Sequence, residues 1–76
     1  MKQIKEVLSG IRPEFDFETS EDFIADGMLD SLDVVMLVAE LDKSYSISIA
    51  GIDIVPENLR NLSAIQGLVQ KYAGKP

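Results

Sequence analysis

A chain of 76 residues with no cysteine has neither a disulfide staple nor a thiolate metal site to hold its fold. Apolar burial has to do that alone. A domain this short buries only about 60% of the surface its unfolded form exposes, so one modest core is the most it can build. With 46% of its residues apolar, the economical solution is tight packing of a few short helices. The absence of histidine extends the constraint to chemistry. The usual general base and the best thiol nucleophile are both missing, and so small a chain rarely encloses a deep pocket. A non-catalytic protein is expected.

Thirteen acidic side chains against seven basic ones give a net charge of −6. Nucleic acid is a poor partner for such a chain, because phosphates are bound by clustered Lys and Arg. The charge is also unevenly spread. Residues 13–42 hold ten carboxylates and no Lys or Arg, whereas the segments before and after are each net positive. The start, from Met1 to Glu6, lacks the apolar stretch of a signal peptide. The longest apolar run, Val34 to Ala39, is six residues, far short of the roughly 20 that cross a bilayer. A cytoplasmic protein without membrane insertion is the expectation.

There is no repeat and no low-complexity segment, so residues 1–76 read as one domain. Ile4, Val7, Leu8 and Ile11 form a helical stripe that predicts a first helix from Lys2 to about Gly10, stopped by Gly10 and then Pro13. Residues 13–29 read as a long ordered loop whose Phe15, Phe17, Phe23 and Leu29 pack onto the rest, with a turn at Asp26-Gly27. A second helix is predicted from Asp30-Ser31 to about Ser44. Its core face is Val34, Leu37, Val38, Leu41 and Tyr45. Leu32, Val35, Met36 and Ala39 make a second apolar arc opposite, bordered by Asp33, Glu40 and Lys43. A helix apolar on both faces is either buried all round or keeps one stripe for a partner, and complete burial is hard to arrange in so small a domain.

The stretch Tyr45 to Ile49 alternates as a strand would but has no second strand to pair with, so it reads as extended loop. A short helix is expected at Pro56-Glu57-Asn58-Leu59, with proline suited to the first helical position. In the last helix, Ser63-Ala64-Ile65-Gln66 matches a capping box. Ile65, Leu68, Val69 and Tyr72 form its stripe, and Gly74 ends it. The expected fold is all-α: a small four-helix bundle of three longer helices and one short one, with a long loop between the first and second.

The candidate functional stretch is Asp26-Gly27-Met28-Leu29-Asp30-Ser31-Leu32-Asp33. At a loop-to-helix junction between carboxylates, the plain reading of Ser31 is an N-cap, a position that Ser and Asp favour because their oxygens accept from free N–H groups. A self-activated nucleophile is disfavoured. Carboxylates with ordinary pKa values near 4 are weak bases at neutral pH, no histidine can relay a proton, and no G-x-S-x-G elbow is present. Asp22, Asp26 and Asp30 recur every four residues, which is not the spacing of an EF-hand calcium loop.

Gly27-Met28-Leu29 followed by Asp30-Ser31-Leu32, opening an apolar helix in an acidic chain of this length, resembles the acyl carrier protein family. The resemblance runs along almost the whole chain and takes in the short helix before the last one. It implies a fold of the acyl carrier type and the role of Ser31: a separate phosphopantetheinyl transferase moves 4′-phosphopantetheine from coenzyme A onto its hydroxyl. Acyl or aminoacyl groups would then be held as thioesters on that arm and passed to partner enzymes in fatty-acid, polyketide or related biosynthesis, with the carrier a monomer. The helix after the modified serine is the surface that partners of the family read. That implication assigns Asp30, Leu32, Asp33, Val35, Met36 and Ala39 to docking against basic surfaces of loading and transfer enzymes. Met36 stands where fatty-acid carriers usually have an acid, and the Gly-Met-Leu lead-in is closer to discrete aminoacyl, D-alanyl or secondary-metabolite carriers. The alternative is an unmodified acidic helical adaptor that binds a partner through the second stripe.

Overall fold

A computed structural model describes residues 3–74. Its four α-helices are α1 (Ile4–Ile11), α2 (Ser31–Tyr45), α3 (Pro56–Leu59) and α4 (Leu62–Ala73), and no strand occurs among the described residues. The radius of gyration, 11.4 Å, is what a folded chain of this length has, about 11 Å. No described helix is long and apolar enough to cross a membrane.

The start of α1 at Lys2 lies outside the described residues. Its other end corrects the sequence reading, because Gly10 stays helical and the helix continues to Ile11, where the Arg12 N–H bonds to the Leu8 carbonyl at 2.9 Å. Pro13 sets the stop by excluding the helical region for Arg12, which lies outside it at φ −134° and ψ 80°. Val7 and Leu8 carry the buried face.

The loop from residue 12 to residue 30 belongs to the core. Phe17 and Phe23 meet edge to face, their ring centroids 4.9 Å apart, and both are buried with Met28 and Leu29. Phe15 departs from the expectation. It lies at the rim, exposed, with its ring against the edge of Phe17. The loop backbone is held by the Phe23 carbonyl, which accepts from Met28 N–H at 2.9 Å, and by a turn at Gly27 with φ +72°, where a side chain would be strained. Lys5 of α1 pairs with Glu18, and Phe23 N–H bonds to the Arg60 carbonyl, so both ends of the molecule hold the loop.

The two apolar arcs of α2 separate as the helical wheel predicts. Leu37, Val38 and Leu41 are buried and Val34 and Tyr45 half-buried. On the far side Leu32 is 67%, Val35 65% and Met36 42% exposed, with Ala39 exposed beside them. The helix runs one residue past Ser44, to Tyr45, and ends at Ser46 in the left-handed conformation (φ 55°). Asp42 holds the chain beyond it. Its carbonyl accepts from Ile47 N–H and its carboxylate from Ile49 N–H, both at 3.0 Å. The alternating stretch is therefore an extended exit from the helix that buries Ile49 and half-buries Ile47.

The predicted capping box of α4 is not formed. Asn61, two residues before Ser63, is the N-cap, with its Oδ1 accepting from Ala64 N–H at 2.7 Å. Its Nδ2 also donates to the Glu21 carbonyl at 3.1 Å. A cap that additionally ties down the aromatic loop outcompetes one that satisfies only its own helix. Gly74 ends α4 as expected.

Candidate functional site

The start of α2 is built by two aspartates. Asp30, in extended conformation, is the N-cap; its Oδ1 accepts from Asp33 N–H at 2.9 Å, while Asp33 Oδ2 accepts from Asp30 N–H at 3.1 Å. This reciprocal arrangement is a capping box with aspartate in both places. The residue between is freed by it. Ser31 becomes the first helical residue, exposed, with its hydroxyl taking no part in the cap. Among the described residues no acceptor is bonded to the N–H of Ser31 or of Leu32. Two donors at the positive end of a 15-residue helix are thus open toward an anion.

Arg12 offsets the negative charge of the box. Its Nε donates to Asp33 Oδ2 at 2.8 Å, and its Nη groups reach Asp30 Oδ2 and Glu14 Oε2, each at 3.3 Å. Burial raises the Asp33 carboxyl, but the Asp30 N–H and the Arg12 guanidinium outweigh it and hold the pKa below its ordinary value. Asp33 is 3% exposed. That corrects its place among the docking residues: it is a buried support of the helix start. Asp30, Leu32, Val35, Met36 and Ala39 are exposed as the docking assignment requires.

Beside Ser31 lies a cleft of about 510 Å³. Val34 and Val35 of α2, Ile24 and Leu29 of the loop, and Ile54, Val55 and Leu59 face it, with Asp30 and Ser31 supplying the polar part. Its far wall is set by the 3-10 turn Gly51–Asp53. Asp53 takes hydrogen bonds from Tyr72 Oη and, at 3.0 Å, from Lys71 Nζ, while Tyr72 Oη accepts from Ala50 N–H at 3.1 Å. Helix α4 therefore holds the turn, and the turn positions Ile54 and Val55.

Sequence reasoning brought Ser31 and its helix forward but missed Arg12 and the residues of this far wall. Arg12 had a signal: it is the last cation before a 30-residue stretch without one. Ile54, Val55 and Leu59 had none, since an aliphatic residue facing a cleft reads like one facing a core. The acidic run also looks different in three dimensions. Asp22 accepts from the N–H groups of Ile24 and Ala25, and Asp26 from Ser20. Of the ten carboxylates in residues 13–42, those of Glu21 and Glu40 alone have no partner among the described residues. The aspartates at 22, 26 and 30 serve turns and a cap, and no group of three or more His, Cys, Asp or Glu among the described residues is arranged to hold a metal ion. Compared with known proteins, the chain matches no family model, no curated protein and no solved structure.

Proposed function

We propose that this chain is a carrier protein of the acyl carrier type, a cytoplasmic shuttle modified on Ser31 by 4′-phosphopantetheine. The observation that carries the reading is the state of Ser31: an exposed hydroxyl released from helix capping by the Asp30–Asp33 box, at the edge of an aliphatic cleft. A serine kept only as a cap would hold the bond that Asp30 makes instead.

The residues present fit the group. The open N–H groups of Ser31 and Leu32 and the dipole of α2 would hold its phosphodiester, while Arg12 moderates repulsion from Asp30 and Asp33. Ile54, Val55 and Leu59 line the same cleft as Val35, so its walls offer aliphatic contact to an apolar chain. When bound, the arm supplies a thiol that carries acyl or aminoacyl groups as thioesters, which is the chemistry that a chain without cysteine lacks. Leu32, Val35, Met36 and Ala39 then offer partner enzymes an apolar contact next to the attachment point.

The test is modification by mass. Incubation with coenzyme A and a broad-specificity phosphopantetheinyl transferase should add one phosphopantetheine to the protein and none to Ser31→Ala. An unchanged mass, or modification that persists in Ser31→Ala, refutes the proposal. The exposure of Leu32 and Val35 also favours a second reading, an unmodified adaptor that binds a partner through this stripe. Under that reading Ser31→Ala keeps full function and Met36→Glu abolishes binding.

A further inference from the structure

Among the described residues, Arg12 alone supplies a cation to Glu14, Asp30 and Asp33, and no Lys or Arg lines the Ser31 cleft. Its three contacts are unequal. The Nε bond to Asp33 is short, 2.8 Å, while the Nη contacts to Asp30 and Glu14 are both 3.3 Å, longer than the roughly 2.7–2.9 Å of a tight charged bond. The Asp30 and Glu14 side chains are 61% and 52% exposed, against 5% for Asp33. Asp30 and Glu14 can therefore return to water at little cost, whereas Asp33 would be left as a buried, unpaired charge.

Charge gives this inequality a use. Three carboxylates surround one guanidinium, so the start of α2 already carries an excess of negative charge. A phosphodiester on Ser31 adds another beside Asp30. Like charges so close repel, and the strain would fall on the junction that closes the loop from residue 12 to residue 30. Arg12 already reaches Asp30, the chain neighbour of Ser31, through Nη2.

We infer that Arg12 is a positioning residue for the group on Ser31 and couples its attachment to closure of the loop. The Nε bond to Asp33 stays, and an Nη group passes from Asp30 to a phosphate oxygen, which ties the base of the arm to the end of α1. By linkage, the modified protein holds the loop more firmly than the unmodified one. This inference rests on the carrier reading above.

The experiment compares wild type, Arg12→Gln and Arg12→Lys, each with and without phosphopantetheine attached from coenzyme A and verified by mass. Urea denaturation gives the folding constant of every form. Attachment should raise it in wild type relative to Arg12→Gln by about fivefold or more, and about 1 M salt should shrink that difference. Arg12→Lys, which keeps the charge without the planar fork, should restore part of it. The Arg12 Nε–H signal of ¹⁵N-labelled wild type should move on attachment, a readout that needs no variant to fold. A purely structural Arg12 would lower both forms equally. That additive result, a difference insensitive to salt, or an unmoved Nε–H signal would overturn the inference while leaving the carrier reading intact. A mass that never changes would overturn both.

Discussion

Arg12, just past the end of the first helix, donates its Nε to the buried carboxylate of Asp33 in the first turn of the second, at 2.8 Å. The contact spans 21 residues of sequence, and it brings both ends of the long loop together at the start of α2. The helix start that carries Ser31 is thus tied to Arg12 through Asp33 and, at 3.3 Å, through Asp30, with no bond to Ser31 itself.

The pair has a pH signature. The folded pKa of Asp33 lies below its ordinary value of 3.8, so the folded state binds its proton less readily than the unfolded state does. Its contribution to stability is fully present above the unfolded pKa, near 4, and is lost as pH falls through the lower folded value. Urea denaturation at neutral pH and at steps below pH 4 should show wild-type stability falling more steeply than that of Asp33→Asn. At neutral pH, Asp33→Ala should cost about 2–3 kcal/mol, from the loss of charged hydrogen bonds to Arg12 and to the backbone. Parallel pH profiles for wild type and Asp33→Asn would contradict the assignment.

The two faces of α2 should respond differently to truncation. Leu37 is fully buried, so Leu37→Ala should cost about 2–5 kcal/mol. Met36 is 42% exposed on the opposite arc, and Met36→Ala should cost under about 1.5 kcal/mol. Chemical denaturation of both variants settles it, and equal losses would put Met36 in the core.

The start of α4 offers a comparison two residues apart. Asn61→Ala removes the cap and the bond to Glu21, and should cost about 1–2 kcal/mol. Ser63→Ala lies inside the helix on an exposed position and should stay within about 0.5 kcal/mol. Thermal unfolding of the two would expose a reversed order, which would restore Ser63 as the cap.

The far wall of the Ser31 cleft is tied to α4 by the Tyr72 hydroxyl together with Lys71. Tyr72→Phe keeps the ring but deletes the bonds to Asp53 and Ala50, and should cost about 1–2 kcal/mol. Amide hydrogen exchange should speed up in residues 50–55 more than in α1. Uniform acceleration across the chain would mean that Tyr72 supports the whole fold and not this wall.

Much of this was legible in one dimension. Helical periodicity is a local property of consecutive residues, which is why the spacing of Leu37, Val38 and Leu41 against Leu32, Val35 and Met36 placed both faces of α2 correctly. Proline and glycine act on their own dihedral angles or a neighbour's, so Pro13, Pro56 and Gly74 marked true boundaries. Gly10 misled, because a helical glycine costs too little to override the helix around it.

What the sequence determined by itself was the pattern of burial and the position of Ser31 at the head of an apolar helix, since both follow from local chemistry. Which groups would meet across the chain was decided only by the tertiary structure. Asp33 reads as a surface acid until Arg12 closes over it, and Asn61 becomes the cap because Glu21 lies within reach. Hydrogen bonds and ion pairs depend on distances between residues far apart in the chain, which no spacing rule records. Folding likewise divided the run of ten carboxylates among turns, the start and exit of α2, and ion pairs to Lys5 and Arg12, leaving those of Glu21 and Glu40 without a partner among the described residues.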